Sequence, residues 1–365
     1  MTITLNGTTG IVNTGSETIT GALTAASFNS ASTFGFKNRL INSAMVIDQR
    51  NAGAVSTPSV NGTYLVDRWN LTFSQASKFS AQQNAGSVTP PAGYINYLGL
   101  TVVSSVSPLV TGDYFAVQQP IEGLNVADLG WGTANAKTVT LSFWVYSSLG
   151  PGTFGGALSN SAGNRSYPFS YNISAANTWQ QITVTVAGDT SGTWLTTNGI
   201  GVYVRFGLGA GATYSGTAGS WAAANYFSAT SAVSVVSTGS ATFYITGVQL
   251  ETGTVATTFE YRPYGTELVL CQRYYETGSG YFNGLNPSFG NNNPIGPLAG
   301  TNFQVTKRAT PTVTLGTATT TLCYTNSGST NNVNTQSFAQ TVLVLTGGAT
   351  SGMVITQPWT AAIEL

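Results

Sequence analysis

The sequence of 365 residues contains no histidine, and only 7% of its residues are charged. Without histidine there is no Ser-His-Asp or Cys-His relay, no zinc site of the usual histidine-containing kind, and no side chain with an ordinary pKa near neutrality. Acid–base chemistry would have to come from the twelve carboxylates. These absences favour a binding or assembly protein, and they predict no enzymatic activity, no cofactor and no metal site.

Net charge and long apolar runs are also lacking. The twelve lysines and arginines balance the twelve acidic residues, so the chain offers no electrostatic funnel for nucleic acid or an anionic membrane. No window reaches the roughly 18 apolar residues of a membrane span, and the first residues have no signal-peptide pattern. We therefore expect no nucleic-acid partner, no membrane insertion and synthesis in a cytoplasm. Cys271 and Cys323 are too few for a disulfide framework and are interpreted as small buried groups.

Alternating apolar and polar residues dominate what is present. Val139 to Tyr146 alternate strictly, and the pattern recurs over 181–186 and 200–208, as expected of half-buried antiparallel strands. Further strands are predicted near 64–73, 97–103, 114–118, 242–250, 311–316, 341–346 and 353–357, between clusters of turn-forming residues. The predicted fold class is all-β, an antiparallel β sandwich of the jelly-roll type.

Three segments depart from this pattern. The alternation changes phase across Gly247, which predicts a bulge or a strand covered on both faces. Leu268, Cys271 and Tyr275 give residues 267–275 a narrow apolar stripe with helical spacing, which predicts a short helix joining two β domains. The first 35 residues carry only isolated apolar side chains, so we expect them to be stable only when chains intertwine or dock on a partner.

A family resemblance rests on stretches that occur together and in order. They are KNRLINSAMVIDQRNAG at 37–53, YLVDRWN at 64–70, QQPIEGLN at 118–125, LSFWVYSS at 141–148, WQQITVTVAGDTSGTW at 179–194, ITGVQLETGTVATTFEYRPYGTELVLCQRYYE at 245–276 and FQVTKRATPTVTLG at 303–316. Together they resemble bacteriophage tail fibre and related receptor-binding proteins. The middle region also looks like the jelly-roll carbohydrate-binding modules found beside glycan-degrading enzymes. Residues 1–35 and the Asn/Gly-rich loop 277–300 carry no motif of the family.

The resemblance implies a homotrimer in the virion, made in the host cytoplasm, with its N-terminus on the phage tail or baseplate. It divides the chain into an attachment and trimerisation segment (1–35), a jelly-roll carbohydrate-binding-like domain (36–265) and a small C-terminal β domain (266–365) that forms the distal, receptor-binding tip. The implied function is attachment to a host cell-surface glycan by weak, polyvalent and non-catalytic binding. Two alternatives stay open: a tail-borne glycan depolymerase, which needs two carboxylates roughly 5–9.5 Å apart in a cleft, and a passive structural fibre or adaptor.

Glycan binding needs flat apolar faces beside amide and hydroxyl groups. Trp144 and Tyr146 project from the polar side of a strand whose other side is core, so this pair is the first candidate for a glycan-binding face. The alternative is that Trp144 is a large core residue of a strand covered on both faces. Trp179 and Trp194, which bracket the GDTSG turn, are predicted to pack a loop edge, and Trp69 is predicted to lie in the core.

A second candidate is the loop of the C-terminal part, because aromatic anchors among adaptable amides are typical of recognition loops. Its residues are Tyr281, Phe282, Phe289, Asn291 and Asn292. The alternative is that these aromatic rings pack onto the adjoining sheet.

The carboxylates are scattered along the chain. Asp48 with Arg50, Asp67 with Arg68, and Glu260 with Arg262 are predicted ion pairs or turn anchors. Asp189 is predicted to form an Asx-turn, with a structural Ca²⁺ ligand as the alternative.

Overall fold

The computed structural model describes residues 36–284, 299–317, 319–322, 331–336, 343–348 and 353–365. Thirteen strands precede the helix in this part of the chain. Their bounds are β1 Thr63–Val66, β2 Trp69–Phe73, β3 Phe79–Gln83, β4 Leu98–Val102, β5 Tyr114–Glu122, β6 Val139–Ser147, β7 Gly152–Ser159, β8 Ser166–Ile173, β9 Gln180–Val186, β10 Ile200–Ala210, β11 Ser215–Gly216, β12 Ser228–Ala229 and β13 Thr242–Thr252.

Two antiparallel sheets contain most of these strands. The six-stranded sheet has the order β1-β2-β5-β10-β7-β8, and the five-stranded sheet has the order β3-β4-β13-β6-β9. Strands β11 and β12 form a short parallel pair beside them. Because the chain passes repeatedly from one sheet to the other, the arrangement is a β sandwich resembling a jelly roll. The predicted antiparallel sandwich is thereby confirmed.

The core lies between the two sheets. Phe143 of the five-stranded sheet meets Phe206 of the six-stranded sheet with ring centroids 4.8 Å apart, and Phe79 meets Phe115 at 6.2 Å. Trp69 is fully buried in the same cluster, as predicted. Strands such as β6 and β10 therefore direct apolar residues into the core and their alternate residues to an outer side of the sandwich, whereas β2 and β5 are buried on both sides.

Several strands differ from the sequence-based prediction. The single strand predicted over 64–73 is a hairpin, since Arg68 adopts a positive φ of 71° between β1 and β2. Strand β7 escapes prediction because glycines interrupt its alternation; a Cβ on Gly156 would lie 2.4 Å from the ring of Phe169. Strand β8 escapes prediction as well, and it contains Pro168, which is unusual inside a strand. The predicted bulge at Gly247 is confirmed by a register shift and a φ of 59°.

Beyond the sandwich, the chain forms one helix and two further sheets in the described residues. Their elements are α1 Tyr264–Gln272, β14 Tyr275–Gly284, β15 Ala299–Thr301, β16 Thr312–Leu315, β17 Thr319–Leu322, β18 Asn331–Gln336, β19 Leu343–Gly348 and β20 Met353–Ala362. Strand β20 pairs with β14, β16 and β17, while β19 lies between β15 and β18. No helix in the described part of the chain is long and apolar enough to cross a membrane.

Helix α1 packs against the segment that precedes β1. It begins after Pro263, three residues earlier than predicted, and Tyr275 belongs to β14 instead of the helix. Cys271 is fully buried with Ile41, Ile47 and Tyr274, as expected of a small apolar group. Cys323 lies outside the described residues.

Polar contacts join the C-terminal part to the sandwich. Arg273 donates two hydrogen bonds of 2.9 and 2.7 Å to Glu122, and the Tyr274 hydroxyl donates a third of 2.6 Å. Arg50 and Arg68 both pair with Glu364 near the end of the chain. The final residues therefore lie against the sandwich.

Candidate functional site

Trp144 and Tyr146 lie on the outer side of β6, as the alternation predicts, and both are half-buried. Their register places Tyr146 opposite Tyr244 of β13 and Trp144 opposite Gln181 of β9. The inward positions of β6 are fully buried in the core. Trp144 is therefore an outer-face residue, and its interpretation as a core residue is wrong.

Tyr146 belongs to a group of four contacting rings, which we call the aromatic face: Tyr97, Tyr146, Trp179 and Tyr244. Tyr146 and Tyr244 are almost parallel, with centroids 5.2 Å apart and an interplanar angle of 5°. Tyr97 stacks on Tyr244 at 5.1 Å, and Trp179 contacts Tyr97 at 5.4 Å and Tyr146 at 5.5 Å. Tyr97 and Tyr244 are buried, whereas Tyr146 and Trp179 are half-buried.

The loop between β3 and β4 holds the buried base of this face. Tyr97 donates its hydroxyl hydrogen to the carbonyl of Ala85 and accepts the N–H of Val88 at 2.9 Å. The Trp179 indole donates to the carbonyl of Thr89 at 2.9 Å. Gly99 leaves space for Tyr244, since a Cβ there would lie 2.9 Å from its ring. The base is therefore packed and hydrogen-bonded, which fixes the rings above it.

Trp179 is predicted to pack a loop edge, and it does contact a loop. That loop is the one between β3 and β4, through the bond to Thr89, and not the GDTSG turn. Trp194 does pack at a loop edge, in a group with Trp131 and Trp221 whose centroids are 4.8 to 5.3 Å apart.

Polar groups border the exposed rings. Gln181 and Thr183 are exposed at alternate positions of β9, on the same side as Trp144. Burial raises the pKa of Tyr94 to about 12. Burial also raises the pKa of Tyr97 and of Tyr244, so these phenols stay neutral near neutral pH. The surface thus offers neutral rings beside amide and hydroxyl groups.

The second set of predicted binding residues is only partly placed. Tyr281 and Phe282 lie in β14, opposite Thr356 and Ile355 of β20, and not in a loop. The ten-residue pairing of β14 with β20 overrides the turn-forming glycines that suggested a loop. The structure describes the backbone of Tyr281 and Phe282 but not their side chains. Phe289, Asn291 and Asn292 lie outside the described residues.

Every carboxylate in the described residues is engaged by a donor. These are Asp48, Asp67, Asp113, Glu122, Asp128, Asp189, Glu251, Glu260, Glu267, Glu276 and Glu364. The predicted Glu260–Arg262 pair is confirmed at 3.2 Å. Their partners are structural ones, namely bases, turn N–H groups and hydroxyls.

Two other predicted pairs are not formed. Asp48 accepts the backbone N–H of Asn51 and Gly53, which confirms its prediction as a turn anchor. Asp67 accepts a hydrogen bond from Gln49 and lies 3.8 Å from Arg50, while Arg68 pairs with Glu364 instead. The hairpin turn directs Arg68 away from its neighbour in sequence.

Asp189 forms the predicted Asx-turn. It accepts the N–H of Ser191 at 3.0 Å and two hydrogen bonds of 2.7 Å from Arg165. Both of its oxygens are therefore engaged, and the Ca²⁺ alternative is not supported. Residues 36–284 and the described parts beyond them contain no cluster of metal-ligating side chains.

Comparison with known proteins gives structural similarity only. No protein-family model matches the chain, and no curated protein matches it. A putative sugar-binding protein from Bacteroides thetaiotaomicron is 11% identical, with a TM-score of 0.30 over 59% of this chain and 100% of that one. A family 11 carbohydrate-binding module of a Clostridium thermocellum cellulase is 14% identical, with a TM-score of 0.28 over 56% of this chain and 99% of that one. The active domain of tailspike protein 4 from bacteriophage CBA120 is 13% identical with a TM-score of 0.29, over 54% of this chain but only 22% of the tailspike chain.

Proposed function

We propose that this protein binds a host cell-surface glycan through the aromatic face, without cleaving it, as a tail fibre protein of a bacteriophage particle. The observation that carries the proposal is the pair of half-buried rings, Tyr146 and Trp179, standing on a buried and hydrogen-bonded base. Flat apolar rings accept the C–H faces of a sugar, and the neighbouring Gln181 and Thr183 offer hydrogen bonds to its hydroxyls.

One such face is a weak site. A shallow sugar site has a Kd of roughly 1 mM, but linked sites can raise the avidity by about 10²–10⁴ without new contacts. The proposal therefore includes a homotrimer, assembled and attached to the phage tail or baseplate through residues 1–35. That segment lies outside the described residues, and its assembly role rests on its sequence and on the family resemblance.

The oligomeric state is tested by the native mass of the purified chain. We expect a homotrimer at micromolar concentration, and a monodisperse monomer would contradict the assembly part of the proposal. Deleting residues 1–26 should leave a folded protein that no longer enters particles.

The binding function is tested by adsorption to host cells with and without their surface glycans. Removal of the glycans should abolish binding, and Tyr146→Ala should weaken it at least tenfold with an unchanged circular dichroism spectrum. Tyr264→Ala is the matched control, because Tyr264 is a 62% exposed tyrosine of α1 outside the aromatic face. Equal binding by both variants would contradict the assignment of the site.

A third variant separates the sandwich from the C-terminal domain. Replacing residues 277–300 should spare adsorption if the aromatic face binds the glycan. Loss of adsorption in that variant, with normal adsorption of Tyr146→Ala, would assign binding to the C-terminal domain.

A further inference from the structure

Three basic side chains are buried in the described part of the chain: Arg68, Arg205 and Lys307. Arg68 pairs with Glu364, and Lys307 pairs with Glu276. Arg205 is only 5% exposed, yet no carboxylate of the described residues lies within 4.0 Å of it. A buried cation without a counter-charge is unfavourable, so the environment of Arg205 requires an explanation.

Arg205 lies on the outer side of β10, in the middle of the six-stranded sheet. Its Nε donates to Gln118 Oε1 at 3.0 Å, and its Nη1 donates to Asn225 Oδ1 at 2.8 Å and to the carbonyl of Tyr226 at 3.3 Å. Its Nη2 has no acceptor among the described residues. Nη2 is also not among the described atoms that are both buried and without a partner, so it is accessible from the surface. Two N–H groups of the guanidinium therefore have no acceptor in the described part of the chain.

Aromatic rings flank the guanidinium. Its Cζ lies 4.0 Å from the ring centroid of Phe227 and 4.6 Å from that of Tyr203. The rings and the neutral acceptors orient Arg205, but they supply no full negative charge. Burial lowers its pKa to about 10, which leaves it protonated at neutral pH. The side chain is thus a fixed cation with one donor edge presented outward.

We propose that Arg205 binds the carboxylate of an acidic sugar on the outer side of the six-stranded sheet. The carboxylate accepts the N–H groups of Nη2, and the sugar ring lies against the half-buried ring of Tyr203. A carboxylate carries one negative charge and so matches the one positive charge of Arg205. A phosphate carries more negative charge and would need further basic side chains beside Arg205. This site is separate from the aromatic face, which lies on the outer side of the other sheet.

The test is calorimetric titration of the full chain with an oligosaccharide of three uronic acids, at concentrations up to roughly 10 mM. The neutral methyl ester of the same oligosaccharide is the matched probe, since it keeps the shape and removes the charge. Sodium acetate separates recognition of a sugar from recognition of any carboxylate. We expect the acid to bind at least tenfold more tightly than the ester and than acetate.

Variants identify the residue responsible. Arg205→Met should weaken binding of the acid at least tenfold, whereas Lys78→Gln, which removes a partly exposed positive charge on β3's flank, should leave it unchanged. Tyr146→Ala should also leave it unchanged, which separates this proposal from the proposed function. If Arg205→Met does not fold, Arg205→Lys replaces it. The loss of the planar guanidinium should still weaken binding of the acid at least tenfold. No binding of the acid, equal binding of acid and ester, or wild-type binding by a folded Arg205 variant would overturn the proposal.

Discussion

The outer faces of the two sheets differ in whether their polar groups have hydrogen-bond partners within the protein. On the aromatic face of the five-stranded sheet, the hydroxyl of Tyr97 and the indole N–H of Trp179 both have protein partners, and the surface is neutral. On the six-stranded sheet, Arg205 keeps a full charge beside aromatic rings, and its Nη2 has no acceptor among the residues that the structure describes. The same sandwich thus has one surface suited to an uncharged sugar and another suited to a ligand with a negative charge. The difference arises from which residues alternate outward and not from a change of fold.

The largest expected effect is on stability, and it distinguishes Arg68, a buried base with a carboxylate partner, from Arg205, a buried base with none among the described residues. Arg68→Met should lower the free energy of unfolding by about 3 kcal/mol, because Glu364 keeps Arg50 but loses its buried partner, and the Pro120 carbonyl loses its donor. Arg205→Met should lower it by only about 1–2 kcal/mol, because Gln118, Asn225 and Tyr226 lose a donor but no carboxylate is left unpaired. Urea unfolding of the two variants measures both values. Equal losses would mean that Arg205 has a counter-charge and would remove the contrast between the two faces.

The next effect separates the base of the aromatic face from its exposed rings. Tyr244→Ala should lower the free energy of unfolding by about 3 kcal/mol, since it removes a buried ring that stacks on two others. Tyr146→Ala should cost about 1 kcal/mol or less, because Tyr146 is half-buried. Thermal unfolding checks both variants. A loss as large for Tyr146 would show that its ring serves stability and not recognition.

A smaller effect is expected from salt, which should weaken ligand binding at one surface more than at the other. Between about 50 and 200 mM salt, binding of a neutral glycan should hardly change, whereas binding of a uronic acid oligosaccharide should weaken about two- to threefold by charge screening. Titrations at the two salt concentrations measure this. A decrease of several orders of magnitude for either ligand would indicate many ionic contacts, which a chain with so few charges does not offer.

The smallest effect is expected from pH. Both bindings should change less than about twofold between pH 5 and 8, because the chain has no histidine and the phenols of Tyr97 and Tyr244 have pKa values raised by burial. Arg205, with a pKa lowered to about 10, stays charged over the same range. Titrations at pH 5, 6.5 and 8 test this expectation. A steep change within the range would require a titrating group on one of the faces.

Alternation in the sequence predicts the side of the sheet on which a residue lies, but not the residues it meets. It placed Trp144, Tyr146 and Arg205 on polar sides of their strands, and all three lie on outer faces. The same alternation in 242–250 places Tyr244 outward, but its stacking on Tyr146 depends on the register of β13 with β6. Such pairings between distant segments are set by the whole sheet and carry no local signal.

Charge pairing is likewise a property of the folded chain. A count of twelve bases and twelve acids suggests that every charge is matched. Yet Arg68 pairs with Glu364 from 296 positions away, and Arg205 pairs with no carboxylate of the described residues. The adjacent Asp67 and Arg68 look like partners in the sequence, and the turn between β1 and β2 separates them. Sequence spacing predicts ion pairs on helices much better than in a sandwich of antiparallel strands.

The central claim is that the aromatic face binds neutral glycan without cleaving it. A glycan array probed with the full chain and with Tyr146→Ala, followed by mass analysis of the bound glycans, tests it most directly. We predict that the wild-type chain retains a set of neutral glycans, that Tyr146→Ala loses at least nine-tenths of that signal, and that the glycans are recovered intact. Retention of the same glycans by Tyr146→Ala, or recovery of shortened products, would contradict the account.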